Sequence, residues 1–249
     1  MVDIIIPLGN GSHNGNEELK MLLRSIEKHL KGYDRVFLVT QYCPEWIDRE
    51  QVTVVNINDP FTDNKDANLH RKTLMTVEKY GIDGFVWCAD DNCFLQDIDA
   101  SSIPAIHNHR PNSLFYESSG IWRLRVRNTL EWAKARGVNL PHNMEAHCPQ
   151  YFDGKALVEG MKDVDYVSQP GLTIHTCWHV VTNTWQGSVN QMDVKHTFEL
   201  EFDETITSMT DEELCSKMFI GFNDCTAPRV LERLHTLFPT PSRFEKENP

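Results

Sequence analysis

Two adjacent carboxylates, Asp90 and Asp91, directly follow the apolar run Gly84-Phe85-Val86-Trp87-Cys88-Ala89. Side-by-side acids repel unless a cation or hydrogen-bond donors satisfy them. Their hard oxygens suit Mn²⁺ or Mg²⁺, and such a cation bridges a diphosphate and stabilises a leaving group. The plainer alternative is a polar loop or helix-cap acid. Glu145 and His147 lie two apart in the irregular run "NMEAHCP". A Glu there can act as general base to an acceptor hydroxyl, and a His as metal ligand or phosphate donor; a surface loop is the alternative. Asp193 and Lys195 are isolated charges in "NQMDVKH", and Asp193 rivals Glu145 and His147 as the activating group.

His70, Arg71 and Lys72 form a basic cluster in an acidic chain. Arg and Lys are the usual partners of phosphate oxygens, although each one alone reads as a solvated helix face. His175, Cys177 and His179 would share one face of a strand, as a metal patch or as half-buried histidines. Trp178 and Trp185 suit stacking on a sugar or base, or simply filling the core.

These groups need elements to position them. "VDIIIP" reads as a buried first strand, and "LGNGSHNGN" (8–16) as a Gly/Asn loop whose small residues let backbone approach a ligand. The loop has neither GxGxxG nor P-loop spacing. A helix is predicted over 17–31, with Asn16 as N-cap and Gly32 as C-cap. Strands at 33–40 and 51–57, a helix at 66–80 and a strand at 84–89 follow. This alternation predicts an α/β fold with a mostly parallel central sheet flanked by helices. Ligands in such sheets bind beyond the carboxyl ends of the strands, where loop 8–16 and Asp90–Asp91 both fall. Beyond residue 100, "NSLFYES", "IWRLRVRN" and "GLTIHTCWHVV" read as strands, the second with Arg123, Arg125 and Arg127 along one face. Helices are expected at 128–136, at "DGKALVEGM", at "DEELCSKMF" capped by Thr210, and at "APRVLERLHTLF"; "PTPSRFEKENP" reads as irregular. With no repeat or linker, one domain over 1–249 is expected, residues 1–100 forming one half and 101–249 the other.

The net charge of −12 and pI of about 5.3 argue against broad, nonspecific binding to DNA or anionic membranes, and leave room for a local basic groove. The seven cysteines are odd in number and contain no CxxC pair, which suits reduced thiols and a cytoplasmic protein. No run approaches the roughly 18 apolar residues of a membrane span, and no signal peptide is expected.

Taken in order, "VDIIIPLGNGS", "NEELKMLLRSIEKHLKGYDRVFLVTQYCPEWI", "NINDPF", "NLHR" and "GFVWCADDNCFL" resemble the Stealth-type sugar-phosphate transferases of microbial capsule synthesis over about residues 2–100. "EAHCPQYFDGKAL" weakly resembles that family's later His-Pro-containing region, and the run from Phe222 to Glu245 looks like the tail of small glycosyltransferase-like proteins of bacteria and phages. Ala89 stands where the family has Asn. The resemblance implies the nucleotide-sugar fold of type A (GT-A) glycosyltransferases. It further implies a UDP- or similar nucleotide-sugar donor, Mn²⁺ or Mg²⁺ on Asp90 and Asp91, and a nucleotide beside Pro7, Leu8, Gly9, Asn10 and Gly11. Asn68, Arg71 and Lys72, together with Asp90, belong to this donor side. The expected reaction is sugar transfer to an acceptor hydroxyl on a glycan or a hydroxymethylated phage DNA base. Sugar-1-phosphate transfer and an inactive nucleotide- or glycan-binding module are the alternatives.

Overall fold

The computed structural model of the chain describes residues 1–117, 119–198, 205–223 and 227–246. In chain order its longer strands are β1 (Val2–Pro7), β2 (Tyr33–Thr40), β3 (Thr53–Asn56), β4 (Gly84–Trp87), β5 (Asn92–Phe94), β6 (Gln150–Asp153), β7 (Lys195–Phe198) and β8 (Phe219–Phe222). The longer helices are α1 (Glu17–His29), α2 (Lys65–Tyr80), α3 (Ile121–Ala135), α4 (Gly154–Met161), α5 (Ile174–Thr182) and α6 (Ala227–Leu237). Five strands form the central sheet in the order β3-β2-β1-β4-β6. The first four are parallel, and β6 runs antiparallel to β4. A smaller sheet, β7-β8-β5, stands beside it.

The central strands are apolar on both faces because both are covered. On one face Ile4, Ile6, Val36, Leu38 and Val86 pack against Leu19, Leu22, Leu23 and Ile26 of α1. On the other, Ile5, Phe37, Val39, Phe85 and Trp87 meet Val77 of α2, Leu157 and Met161 of α4, and Cys177 and Trp178 of α5. The alternation follows the two-residue period of a strand. α1 carries Glu17 and Glu18 in its first turn and Lys28 and His29 in its last, matching the helix dipole. α2 stops at Gly81, which adopts the left-handed conformation (φ 61°) and returns its N–H to the Val77 carbonyl.

The chain order of the sheet places the site. From β1 the chain moves outward to β2 and β3, then crosses back to β4 on the other side of β1. The loops leaving β1 and β4 therefore diverge from neighbouring strands, which opens a crevice beyond their carboxyl ends. Backbone bonds continue the pairing to the crevice floor: Cys88 N–H donates to the Ile5 carbonyl (3.1 Å) and Leu8 N–H to the Val39 carbonyl (2.9 Å).

Three strand expectations fail beyond residue 100. Ser113–Tyr116 is a short helix, and "IWRLRVRN" is the start of α3; Ser118 lies outside the described residues. The alternation of arginines suggested period two, but the buried set Arg125, Val126, Thr129, Leu130 and Ala133 has helical spacing. "IHTCWHVVT" is α5, with Ile174 to Val180 all buried; a short run buried on every side carries no period to separate helix from strand. Asn16 precedes α1 as expected, but its backbone is left-handed (φ 61°) and its side chain makes no cap. Thr210 does cap its helix, in a reciprocal capping box with Glu213. The Pro-rich end is irregular as far as Lys246, residues 247–249 lying outside the described ones, yet it is anchored, since Arg24 grips Glu245 in a two-pronged ion pair (2.8 and 2.7 Å). The six described cysteines are free, Cys225 lies outside the described residues, and no helix among them is long and apolar enough to cross a membrane.

Arg125, expected on a strand surface, is buried. Its guanidinium bonds Asp66 Oδ2 (3.0 Å), the Pro170 carbonyl (2.9 Å) and the Asp63 carbonyl. Burial pushes the Asp66 carboxyl up despite the Arg125 charge. Removing one partner strands the other charge in a dry site, so Arg125→Met is expected to cost about 3–5 kcal/mol in urea unfolding, with part recovered when Asp66→Leu is added.

Candidate functional site

One cavity of about 480 Å³ occupies the crevice between the β1 and β4 loops. Gly9, Asn10, Gly11 and Ser12 of the loop after β1 form one wall, and Asp59, Phe61 and Thr62 of the loop after β3 form another. From α2 come Lys65, Asn68, Leu69 and Lys72, the i, i+3, i+4, i+7 stripe that one helix face presents. Asp90 and Asp91, with Glu18 of α1, complete the lining.

The two glycine-bearing and acidic loops are held from behind. Glu18 is 3% exposed. Its carboxylate accepts from Ser12 Oγ (3.0 Å) and Asn14 Nδ2 (2.8 Å), while Ser12 Oγ accepts the N–H of Asn14 and Asn16. Lys72 is 1% exposed. Its ammonium donates to the Leu8 carbonyl (2.8 Å) and to Asp59 Oδ2 (2.8 Å), joining the loops after β1 and β3. Asn68 braces the second loop by bonding Phe61 at both its N–H (3.1 Å) and its carbonyl (2.9 Å).

The acid pair is electrostatically loaded. Burial, then the charges of Asp91 and Glu18, pushes Asp90 up to about 7, while a backbone N–H and His147 pull the other way. Asp91 Oδ1 is buried without a hydrogen bond, although His147 Nε2 stands 3.0 Å away at ion-pair distance. A carboxylate oxygen met only by an imidazole, beside a second crowded carboxyl, is what a divalent cation relieves. Glu18 is already occupied by Ser12 and Asn14, and no group of three or more His, Cys, Asp or Glu converges on a metal position among the described residues. The residues thus fit a cation held by one or two carboxylates and completed by phosphate oxygens and water, as Mg²⁺ often is, rather than one caged by protein.

His147 is presented by a second buried ammonium. Its backbone is left-handed (φ 49°), and its carbonyl accepts from Lys195 Nζ (3.0 Å) and Asn92 Nδ2 (3.3 Å). Lys195 also bonds the Ala146 carbonyl (2.8 Å). The space is tight: a Cβ on Gly221 would lie 3.1 Å from Lys195 Nζ and 3.2 Å from the His147 carbonyl. Strands β5, β7 and β8 thereby supply Asn92, Lys195 and Gly221 to one carbonyl, and the small sheet is the platform that aims His147 at Asp91.

Of the residues singled out in the sequence, Gly9, Asn10, Gly11, Asn68, Lys72, Asp90 and Asp91 line the cavity, and His147 adjoins it through Asp91. Others lie elsewhere. Pro7 ends β1 in the core, and Leu8 contributes only its carbonyl, to Lys72. Arg71 points away to the Asn58 carbonyl (2.9 Å), because adjacent helical residues are about 100° apart. The basic cluster is likewise dispersed: His70 is wholly buried, accepting from Trp178 Nε1 (2.8 Å), and burial takes it down to about 3. Glu145 is turned to the start of α5, where it accepts the Thr176 N–H (2.7 Å) and satisfies a helix-terminal donor. Asp193 is exposed, its charge bearing on His107. His175 and His179 form no metal patch. His179 bonds Gln150 Oε1 (2.7 Å) and Thr184 Oγ1 (2.8 Å), and His175 sits edge-on to Trp87 in the core. Trp178 is core, and Trp185 borders a separate cavity of about 390 Å³. Glu18, Asp59, Phe61, Thr62, Lys65 and Leu69 were not expected at the site. Asp59 and Phe61 had a signal, the polar run "NINDPF" at the end of a predicted parallel strand; Glu18 reads simply as a first-turn helix acid.

No protein-family model and no curated protein sequence matches the chain significantly.

Two outcomes follow from the supports of this site. Burial raises Glu145 from 4.5 to about 7. A carboxyl raised in the folded state favours folding at low pH, and that contribution is lost as pH climbs from about 4.5 to about 7. Glu145→Gln keeps the bond to Thr176 without the charge. It is expected to exceed the native chain in stability by about 2–3 kcal/mol at about pH 8 and to differ by less than about 1 kcal/mol at about pH 5 in denaturant titrations. Lys195→Met leaves two carbonyls without their charged donor and is expected to destabilise by about 3 kcal/mol in thermal unfolding, with Lys195→Arg recovering only part.

Proposed function

We propose that the chain is a metal-dependent glycosyltransferase of the type A fold, moving a sugar from a nucleotide-sugar donor, of the UDP-sugar class, to an acceptor hydroxyl. One observation carries the reading. The Asp90–Asp91 pair, with a buried oxygen lacking a hydrogen bond, shares a single cavity with a glycine-rich loop and the Lys72 ammonium at the point where the sheet order reverses. Nucleotides bind at such reversals in open parallel sheets. The antiparallel strand beside β4 is compatible with this fold, and the ordered motifs of residues 2–100, which contain the acid pair and the glycine loop, favour it.

The cavity lining combines apolar and cationic groups. Phe61 and Leu69 offer apolar surface for a base, and the backbone of Gly9 to Gly11 can approach a ribose or phosphate closely. Lys65 and Lys72 supply positive charge to the phosphate region, Lys72 also holding the two loops at a fixed spacing. A divalent cation bound with Asp90 and Asp91 would neutralise the diphosphate and stabilise the departing nucleotide. Of the three candidate activating groups, His147 adjoins the carboxylate pair, and its imidazole can accept the proton of the acceptor hydroxyl. Glu145 and Asp193 act at a distance, through fold stability and surface charge.

The test is a thermal-shift panel of nucleotide sugars with and without Mn²⁺, followed by product analysis with the best donor. A donor that raises Tm only with metal is expected, and Asp91→Asn is expected to lower kcat/KM at least about 100-fold. Release of UMP instead of UDP would transfer the reading to sugar-1-phosphate transfer. Full activity of Asp91→Asn at saturating metal would sink it, as would donor binding without turnover across acceptors.

A further inference from the structure

The cavity of about 390 Å³ that Trp185 borders lies outside the crevice, with His107, Leu140, His142, Met144 and Ser188 among its other walls. None of its described lining residues is Lys, Arg, Asp or Glu, whereas the crevice is lined by acids and lysines. Burial and the neighbouring His142 hold the His107 imidazole below its ordinary value, which keeps it uncharged at neutral pH. A cavity of this kind takes an uncharged ligand.

Its walls are aromatic and carry spare polar atoms. The His107 and His142 rings stack at 4.8 Å, with 25° between their planes. Trp185 Nε1 and His142 Nδ1 are buried without a hydrogen-bond partner. Unpaired nitrogens cost free energy, and ring torsions are soft enough to turn them toward a ligand hydroxyl. A sugar ring has an apolar C–H face and an edge of hydroxyls, and aromatic walls with unpaired ring nitrogens complement both. A wholly apolar ligand would leave both nitrogens unpaired.

The cavity is preformed and tied to His147. Ser188 Oγ bonds His107 Nδ1 (3.0 Å), Val189 N–H donates to the Ala105 carbonyl (2.9 Å), and Asn112 Nδ2 donates to the Leu140 carbonyl (3.0 Å). From there the chain is pinned step by step. The Asn143 carbonyl accepts the Asn108 N–H (2.9 Å), Met144 N–H donates to Thr176 Oγ1 (3.0 Å), and the Glu145 carbonyl accepts from Asn108 Nδ2 (2.8 Å). Lys195 then holds the Ala146 and His147 carbonyls. Five residue steps cover at most about 18 Å, so the backbone at His142 lies within that distance of His147. Gln150 starts β6 opposite Trp87, the last residue of β4, and His147 meets Asp91. The segment entering β6 therefore stands over the same carboxyl edge of the sheet as the acid pair. A chain of a few linked sugars spans the distance from the cavity to His147.

We propose that this cavity binds a neutral oligosaccharide, seating one sugar ring against Trp185 and the His107–His142 stack. Its role rests on the glycosyltransferase reading: the cavity is the acceptor subsite, and the reacting hydroxyl of the same glycan lies at His147.

A printed array of neutral and acidic oligosaccharides, probed with the full chain in the absence of nucleotide and metal, tests it. The native chain is expected to bind neutral glycans of two or more sugars. Trp185→Ala and His142→Ala are expected to weaken the best of them about tenfold. Trp185→Phe, which keeps a ring in the packing and removes the N–H, is expected to weaken it less. Circular dichroism is expected to stay native, and Asp91→Asn to bind as the native chain does. No binding by the native chain, a preference for acidic glycans, undiminished binding by the Trp185 and His142 variants, or equal loss in Asp91→Asn would overturn the proposal. The nucleotide-sugar panel separates the two readings. A donor that binds and turns over, with no glycan bound, would sink this site alone. Glycan binding lost in Trp185→Ala, with no donor turned over, would leave the site and sink the transferase.

Discussion

The buried ammonium of Lys72 is the interaction on which the site depends. A lysine with 1% exposure is stable only because its head meets a carbonyl at the end of β1 and a carboxylate after β3. Those two contacts set the gap between loops that leave different strands. Without them the parallel sheet would still form, since its packing lies on the two faces, but the walls of the crevice would lose their common anchor. The Leu8 carbonyl is therefore more than the end of a strand: it is where the sheet hands its geometry to the cavity.

A similar device acts across the cavity. Lys195, 3% exposed, binds the carbonyls of Ala146 and His147, and the small sheet brings Asn92 to the latter. The left-handed backbone of His147 is unfavourable for a residue with a Cβ, and these donors hold it so that the imidazole faces Asp91. Both ammoniums act on backbone oxygens. The side chains with exposed chemistry, Asp90, Asp91 and His147, are positioned by buried ones that the cavity hardly sees.

The first half of the fold was legible because its elements carry their own period. β1, β2 and β4 are apolar runs bounded by polar loops, and α1 shows a Leu/Ile stripe with matched terminal charges. The second half was misread where the period was hidden. In "IWRLRVRN" the arginines alternate while the helical burial of Val126, Leu130 and Ala133 emerges only over a longer span; in "GLTIHTCWHVV" every residue up to Val180 is buried, so no period shows. At the site, Asp90, Asp91 and the glycine loop were visible as oddities beyond strand ends. Glu145 was not, because nothing local distinguishes a carboxylate that faces a ligand from one that closes a helix terminus.

The sequence by itself determined the alternation of strands and helices, the two loops at one sheet edge and the acid pair between them, since each depends on neighbours along the chain. The tertiary structure alone decided which charges meet: Lys72 with Asp59, Arg125 with Asp66, His147 with Asp91, Lys195 with two carbonyls. Those pairings join residues from 13 to 59 positions apart that share no helical or strand period. Their energy depends on burial, and burial is settled only when the elements pack.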